Sequence, residues 1–409
     1  MIKVYTCGPT VYNDVHIGNL RPILTMDLIL KANRALGNEF NFVHNITDID
    51  DKIINKAIET NQSEQEVAAF YADKYIELLK KFNVDTITHL EYVTANMNLI
   101  IDFIQKLLEV GAAYQDTEGN VWFDVLKYQN NYGVVSNQKI ENMLSEENEY
   151  SNLKKSPIDF ALWKKTKVGV TYDSPFSKGR PGWHTECAVL IYKYFGQEGV
   201  DIHSGGMDLT FPHHENENIQ FYALTKHQIA QNWLRTGQIN LNGMKMSKSL
   251  QNVILPKDFL QNYSPDVLKT IFLQNGFTSE INIDSNTLES VNALINKIKR
   301  LYFAAYLDNI DVYAYDNDLF TEAMQAIAHL RFSDFNKLIN EIIKQANKTK
   351  EVKYYATVIK IFNTLRYEFE QIDFASYAEI YYEWKKLIAQ KEYSQADQLR
   401  EILINKNLI

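Results

Sequence analysis

Cysteine is nearly absent: Cys7 and Cys187 are the only two in 409 residues, too few for a disulfide framework. No apolar run approaches the ~20 residues that a membrane-spanning helix needs. The opening Met1-Ile2-Lys3-Val4-Tyr5-Thr6-Cys7 reads as a buried strand rather than a targeting segment. A cytoplasmic protein with no membrane attachment is the expectation. Positive charge is also in deficit, with 42 Lys+Arg against 51 Asp+Glu and a net charge of −9. That excludes a uniformly basic coat for non-specific nucleic-acid binding and leaves room for local basic patches. No fixed-period repeat occurs. What the chain does have is 45% hydrophobic and 12% aromatic residues, a globular composition, and a length that suits about two to four structural units.

Residues 1–93 alternate short apolar strands with amphipathic helices: a strand Lys3–Cys7, a helix from Leu20 to Leu36, a strand Phe40–Asn45, then helical patterns over Asp51–Glu59 and Ser63–Phe82. Strand, helix, parallel strand begins a doubly wound α/β sheet. Residues 94–171 break the rhythm with a helix (Met97–Val110), a hairpin-like Tyr114–Phe123 and a polar loop at Ser145–Glu149, the pattern of an insertion. Alternation resumes over 172–242, with a helix near Trp183, a strand Val200–Ser204, a helix from His213 and a strand around Gln238–Leu241. A loop region, 243–285, leads to an all-α bundle over 286–409. Its apolar spacing predicts helices at Asn286–Leu307, Leu319–Ala346, Val352–Glu370, Ser376–Gln390 and Ser394–Ile404.

Both cysteines sit in motif-like runs, Cys7-Gly8-Pro9-Thr10-Val11-Tyr12 and Gly182-Trp183-His184-Thr185-Glu186-Cys187. In Phe211-Pro212-His213-His214-Glu215-Asn216-Glu217, Pro212 suits a helix start and places His213 and Glu217 four apart on one face. Two thiolates, an imidazole and a carboxylate are a tetrahedral zinc set. The spacing matches no common zinc finger, so the fold would have to assemble it. The plain alternative is two small buried hydrophobes and a helix-surface pair.

Three further segments suit a nucleotide. Lys245-Met246-Ser247-Lys248-Ser249 carries two rotatable ammonium groups for a polyphosphate, or is simply a charged loop. The turn His16-Ile17-Gly18-Asn19 follows the first strand and opens a helix, where backbone N–H groups favour phosphate. Gly18 permits close approach and His16 and Asn19 bring donors, although His16 also suits a cap or a core. After another strand, Gly205-Gly206-Met207-Asp208 offers a flat surface for a base or ribose with Asp208 as acceptor, or a tight turn.

Together these segments resemble the class I aminoacyl-tRNA synthetases, through the HIGH-like His16–Asn19 and the KMSKS loop Lys245–Ser249, and more narrowly the cysteinyl-tRNA synthetase family. The narrower likeness rests on Cys7–Tyr12, Asn45-Ile46-Thr47-Asp48-Ile49-Asp50-Asp51-Lys52, Arg180–Cys187 and Phe211–Glu217, in the family's order over nearly the whole chain. The resemblance implies a Rossmann-like catalytic domain split by a connective insertion, a KMSKS and stem-contact region, and a helical tRNA-binding domain. It implies an enzyme that uses ATP to form cysteinyl-adenylate from L-cysteine and passes the cysteinyl group to the 3′ end of tRNA(Cys), working as a monomer. Cys7, Cys187, His213 and Glu217 would bind Zn2+, and His214 and Glu215 are not carried over as ligands. Thr47, Trp183 and His203 would surround cysteine. His16, Gly18, Asn19, Gly206, Asp208, Lys245 and Lys248 would surround ATP and its Mg2+.

The chain departs from the family in Asn19, where histidine ends the motif; asparagine donates a hydrogen bond but carries no charge. It also starts close to Cys7 and stops at Ile409, where relatives generally carry a leading segment and a small terminal element that helps read the anticodon. The insertion is too short for an editing domain. Rival readings are a cysteine:aminosugar ligase of the mycothiol type, sharing the catalytic half, and a non-catalytic paralogue that binds tRNA, nucleotide or zinc.

Overall fold

The computed structural model describes residues 1–140, 151–246 and 252–409; the polar run Ser145–Glu149 and Ser247, Lys248 and Ser249 lie outside them. The first part of the chain runs β1 (Ile2–Thr6), α1 (Ile17–Ala35), β2 (Phe40–Ile46), α2 (Asp51–Thr60), α3 (Glu64–Lys81) and β3 (His89–Tyr92). The insertion follows as α4 (Met97–Glu109), β4 (Ala113–Gln115), β5 (Val121–Phe123), β6 (Phe160–Lys165) and β7 (Gly179–Pro181). Then come α5 (Glu186–Phe195), β8 (Val200–Gly206), α6 (Glu215–Thr225) and β9 (Ala230–Thr236).

The chain divides into two compact units, the first made of residues 1–26, 39–80 and 84–238. Its five-stranded sheet has the order β3-β2-β1-β8-β9 with every pair parallel. From the central β1 the chain moves outward to β2 and β3, then returns to build β8 and β9 on the other side. The strand order therefore reverses between β1 and β8, and α/β sheets leave a crevice beyond the strand ends at such a point. The insertion folds as its own antiparallel sheet, β4-β5-β6-β7. Buried Trp163, Phe123, Phe160 and Leu162 pack it into the same core as Tyr5, Val43 and Ile191.

The second unit comprises residues 27–38, 81–83 and 239–409. It contains β10 (Ile239–Leu241), β11 (Met244–Lys245), α7 (Pro256–Asn262), α8 (Pro265–Gln274), β12 (Ile281–Ile283) and α9 (Ser285–Leu307). The bundle continues with α10 (Asn317–Ala328), α11 (Phe332–Thr349), α12 (Val352–Thr364), α13 (Phe374–Gln390) and α14 (Tyr393–Asn405). A small sheet, β11-β10-β12, precedes the helices. Charges are buried here in pairs: Lys31 bonds Asp27, and Lys269 lies 2.8 Å from Asp266 with both side chains nearly inaccessible. Lys269 also donates to the Arg366 carbonyl, and Asp266 accepts from the Glu368 N–H, each at 2.8 Å.

Three expectations change. The single helix expected over Leu319–Ala346 is two, because Leu330 turns left-handed at φ 60° and Arg331 N–H closes on the Ala326 carbonyl at 2.7 Å. The helix expected to reach Glu370 stops at Thr364 by the same device, with Arg366 at φ 57°. Neither stop uses the glycine or asparagine by which such a cap is read from sequence. The fifth strand of the parallel sheet is β9, not the segment around Gln238–Leu241. That segment supplies β10 of the small sheet, whereas Gln231 and Asn232 obscure the apolar pattern of β9.

Candidate active site

Cys7 follows directly from β1 and donates its backbone N–H to the Ser204 carbonyl on β8 at 3.0 Å, which places it at the reversal of strand order. The next residue, Gly8, gives its N–H to Asn45 Oδ1 at 2.8 Å. A Cβ on Gly8 would meet the Asn45 carbonyl oxygen at 1.5 Å, so the main chain passes through a gap that admits no side chain.

Cys187 lies in the first turn of α5. His213 is the last residue but one of the helical turn before α6, and Glu217 occupies the helix's first turn. One ligand atom from each of Cys7, Cys187, His213 and Glu217 falls within 4.8 Å of all the others. The Sγ atoms are 3.8 Å apart, Cys187 Sγ is 3.6 Å from His213 Nε2, and Cys7 Sγ is 3.8 Å from Glu217 Oε1. A tetrahedral zinc with sulfur ligands at ~2.3 Å has S–S edges of ~3.8 Å, so the two sulfurs already stand at the right separation. His213 Nε2 and Glu217 Oε1 are 2.7 Å apart, a hydrogen-bond length: they share a proton on the side where a cation would sit. These residues can hold a metal ion.

Charge tells the same story. Burial pushes the Cys7 thiol up to about 11, the Glu217 carboxylate adding to the rise against the hydrogen bond from Cys187. Burial likewise raises Cys187 well above the ordinary thiol range, with Cys7 adding to it. Burial disfavours a charged His213, but Glu217 and Cys187 together outweigh it and carry the imidazole up to about 10. Glu217, despite burial, is held well below the carboxylate range by His213 and His203. The two thiol protons and the proton shared by His213 and Glu217 are what a soft divalent cation would displace.

Three more imidazoles attend the cluster. His184 Nδ1 is 3.1 Å from His213 Nδ1, His203 Nε2 is 2.7 Å from Glu217 Oε2, and His214 Nε2 is 3.7 Å from Cys7 Sγ. His214 also belongs to a second convergent group, Cys7, His203, His214 and Glu217. Its tautomer argues against that set. Arg235 Nε donates to His214 Nδ1 at 3.3 Å, and arginine cannot accept, so the neutral ring carries its proton on Nε2 and presents N–H, not a lone pair, to Cys7.

Trp183 stacks on His213, ring centres 4.2 Å apart, and is partly open to solvent. Thr47 is buried and donates to Glu186 Oε2 at 2.7 Å. His203 stacks on Trp233, and its Nδ1 is buried with no hydrogen-bond partner. The structure thus brings Trp183, His203 and Thr47 to the margin of the cysteine cluster.

At the start of α1, His16 Nδ1 accepts from the Gly18 N–H at 3.1 Å and Asn19 Oδ1 accepts from the His16 N–H at 3.0 Å. This is a reciprocal cap. Asn19 therefore has a local structural task that an amide performs well, and its amide nitrogen remains available as a donor. Gly206 ends β8 with the Asp208 carboxylate folded against it: a Cβ there would meet Asp208 Oδ1 at 2.3 Å. Lys245 belongs to the second unit, exposed on β11 in the hairpin with β10.

Sequence reasoning passed over several buried polar residues. Glu215 accepts from the N–H groups of Gly133, Val135 and Ser136 at 2.7–3.0 Å, and Asn216 accepts from Tyr132 OH. Both fasten the insertion loop to α6. Their signal was present in the polar run 213–218, every residue of which is buried.

A model described as tRNA synthetases class I (C) catalytic domain matches residues 1–293. Solved structures share the fold. A Mycobacterium tuberculosis methionyl-tRNA synthetase with methionyl-adenylate superposes with TM-score 0.64 at 12% identity, covering 89% of each chain. A LeuRS–tRNA–LeuAMS complex from Agrobacterium radiobacter K84 gives 0.65 at 9% identity, covering 89% of this chain and 83% of that one. The architecture is that of a class I aminoacyl-tRNA synthetase. Among sequence relatives, a cysteine--tRNA ligase from Mesomycoplasma hyopneumoniae strain J is 44% identical over 98% of this chain and 96% of its own length. Another from Mesoplasma florum is 39% identical over 100% and 96%. The chain belongs to the cysteine--tRNA ligase family, ATP-dependent ligases of that class. No helix among the described residues is long and apolar enough to cross a membrane.

Proposed function

We propose that Cys7, Cys187, His213 and Glu217 hold a zinc ion that selects cysteine for activation with ATP·Mg2+ and transfer to tRNA(Cys). The observation that carries this reading is the 3.8 Å approach of two free thiols beside the bonded His213–Glu217 pair. When bound, zinc supplies a soft centre that takes a thiolate far better than a hydroxyl, the distinction a shape-based pocket makes poorly between cysteine and serine.

The chain's own residues do the rest. His184 orients His213, His203 orients Glu217, and His214 donates toward Cys7, so three ligands each have a fixed direction. Trp183 walls the amino acid. In the first step a carboxylate oxygen of cysteine bonds to the α-phosphorus of ATP as the bond to pyrophosphate breaks. A hydroxyl of the terminal ribose of tRNA then bonds to the acyl carbon, and AMP leaves. No protein nucleophile is needed, so positioning and charge neutralisation supply the rate. The capped turn His16–Asn19, Gly206, Asp208 and the lysines Lys245 and Lys248 would hold the nucleotide. Residues 94–171 would serve as the connective insertion, 243–285 as the stem-contact region and 286–409 as the tRNA-binding bundle, in a monomer.

The test is cysteine-dependent ATP–pyrophosphate exchange and tRNA charging, with metal analysis of the same preparation. One zinc per chain, exchange with cysteine and not serine, and charging of tRNA are expected. Exchange without transfer to tRNA would leave the aminosugar reading in its place. Full cysteine selectivity without metal would remove the zinc assignment.

A further inference from the structure

The second unit carries a cleft of about 730 Å³ to which adenylate chemistry gives no task. Every residue lining it belongs to that unit: the end of α1, the turn between α9 and α10 with the head of α10, and the last turn and exit of α12. Arg34, Lys360 and Arg366 bring positive charge to it, and a fourth cation, Lys31, is taken by Asp27. Lys360 forms no ion pair among the described residues. Its ammonium lies over the rings of Tyr315 and Phe320, 5.3 and 5.7 Å from their centres. The one lining carboxylate, Glu370, accepts from Asn363, while Asp311 and Asp316 turn theirs to main-chain N–H groups. At the rim stands Tyr313, 85% exposed, more than any other large apolar side chain among the described residues. A lone exposed tyrosine is ordinary, but this one is held in place. Its turn is closed by Ile310 N–H on the Ala305 carbonyl, Tyr313 N–H on Asp311 Oδ1 and Asp316 N–H on the buried Thr357 hydroxyl, each at 2.9 Å.

We infer that this cleft receives an unpaired nucleotide of the bound tRNA, its base stacked on Tyr313 and its flanking phosphates on Arg34, Lys360 and Arg366. This rests on the reading of the helical bundle as the tRNA-binding part of the chain. An aromatic face beside cations in a groove is the chemistry that holds single-stranded nucleic acid. A duplex fits it poorly, because paired bases are stacked on one another and leave no face for a tyrosine. A free nucleotide fits it poorly too: small-ligand sites bury most of their ligand, and Tyr313, Arg34 and Arg366 all stand open to solvent. A nucleotide tethered in a longer RNA needs no such enclosure, since the other contacts keep it close by. Every base has a π-face, so the cleft adds affinity and register rather than a choice of base.

The experiment measures binding of labelled tRNA(Cys) to the full chain over a series of salt concentrations. Tyr313→Ala should weaken binding by about five- to a hundredfold without changing the slope of log K against log salt. Tyr313→Phe, which keeps the ring, should stay within about twofold. Tyr313 is almost wholly exposed, so its replacement costs little packing and a loss of binding is read directly. Lys360→Met keeps an apolar stem on the two rings and removes the charge. It should lower the salt slope by about 0.7–0.9. Unlabelled single-stranded RNA should compete with tRNA for the wild type more strongly than for Tyr313→Ala, and millimolar uridine monophosphate should displace nothing. Wild-type affinity in Tyr313→Ala, an equal loss in Tyr313→Phe, or an unchanged slope in Lys360→Met would each overturn the inference. So would competition by uridine monophosphate that depends on Tyr313, which would make the cleft a free-nucleotide site. A wild type that binds and charges tRNA while the variants match it removes the cleft alone. A wild type that binds no tRNA removes the tRNA role of the bundle and the cleft with it.

Discussion

His184 and His213 face each other through their Nδ1 atoms, 3.1 Å apart. Only one can carry the proton between them. Burial, reinforced by His213, lowers His184 to about 3, so it is the neutral acceptor and His213 the donor. That bond fixes the His213 ring with Nε2 toward Cys187. His184→Phe keeps the volume and removes the acceptor. It should weaken metal retention by about 10- to 100-fold in a chelator competition, while cysteine activation at saturating zinc stays measurable. Unchanged retention would show that ring stacking on Trp183 alone orients His213.

Cys187→Ser replaces a soft thiolate by a poor zinc ligand. Activation should drop by more than ~10²-fold and metal content should fall well below one per chain. One zinc per chain with normal exchange would disprove the four-ligand assignment.

Lys248→Ala should slow adenylate formation by an amount corresponding to about 2–4 kcal/mol with little change in cysteine affinity, because a lysine on departing pyrophosphate acts mainly in the transition state. Pre-steady-state exchange separates the two. Loss of cysteine binding at an unchanged rate would remove Lys248 from the nucleotide site.

His44 gives a pH prediction away from the cluster. Its Nδ1 donates to the Thr6 carbonyl and its Nε2 accepts from Tyr75 OH, both at 2.8 Å, and burial lowers its pKa from 6.5 to about 4. Between those values the unfolded chain binds the proton and the folded chain does not. The stabilisation is therefore complete above pH 6.5, falls as pH drops toward 4, and levels off below. The loss amounts to about 3 kcal/mol. Calorimetric melting of His44→Gln should show a shallower decline over the same window; an identical slope would assign the decline to other groups.

In the helical unit, Lys269→Met leaves Asp266 buried without its ammonium partner. A loss of about 3–5 kcal/mol is expected, read as a lower melting temperature. Combining it with Asp266→Asn should recover part of that, since the stranded charge is gone. Additive effects of the two changes would mean that the pair does not interact.

The fold class was legible because strand and helix periods alternate over most of the catalytic half. Strand β9 was not, since Gln231 and Asn232 interrupt its apolar face, and the helix breaks at Leu330 and Arg366 were not, since the apolar spacing continues across both. At the site, residue type picked out Cys7, Cys187, His213 and Glu217, which the fold does bring together. His184 and His214 were invisible to that logic. A histidine supporting a ligand has the same side chain as one on a helix surface, and only its neighbours give it a task. Asn19 is the reverse case: a substitution that looks like a loss in the motif is a working cap in the structure.

Because Gly8 runs against the Asn45 carbonyl with no room for a β-carbon, the backbone that carries Cys7 is set by main chain on main chain. Sequence drift can retune the histidines, tryptophans and acids around the pocket, but it has no side chain at position 8 with which to nudge that backbone. An engineer seeking to widen the amino-acid specificity would therefore do well to treat Cys7 as a fixed origin and to rebuild the opposite wall, from α5 and α6, around it.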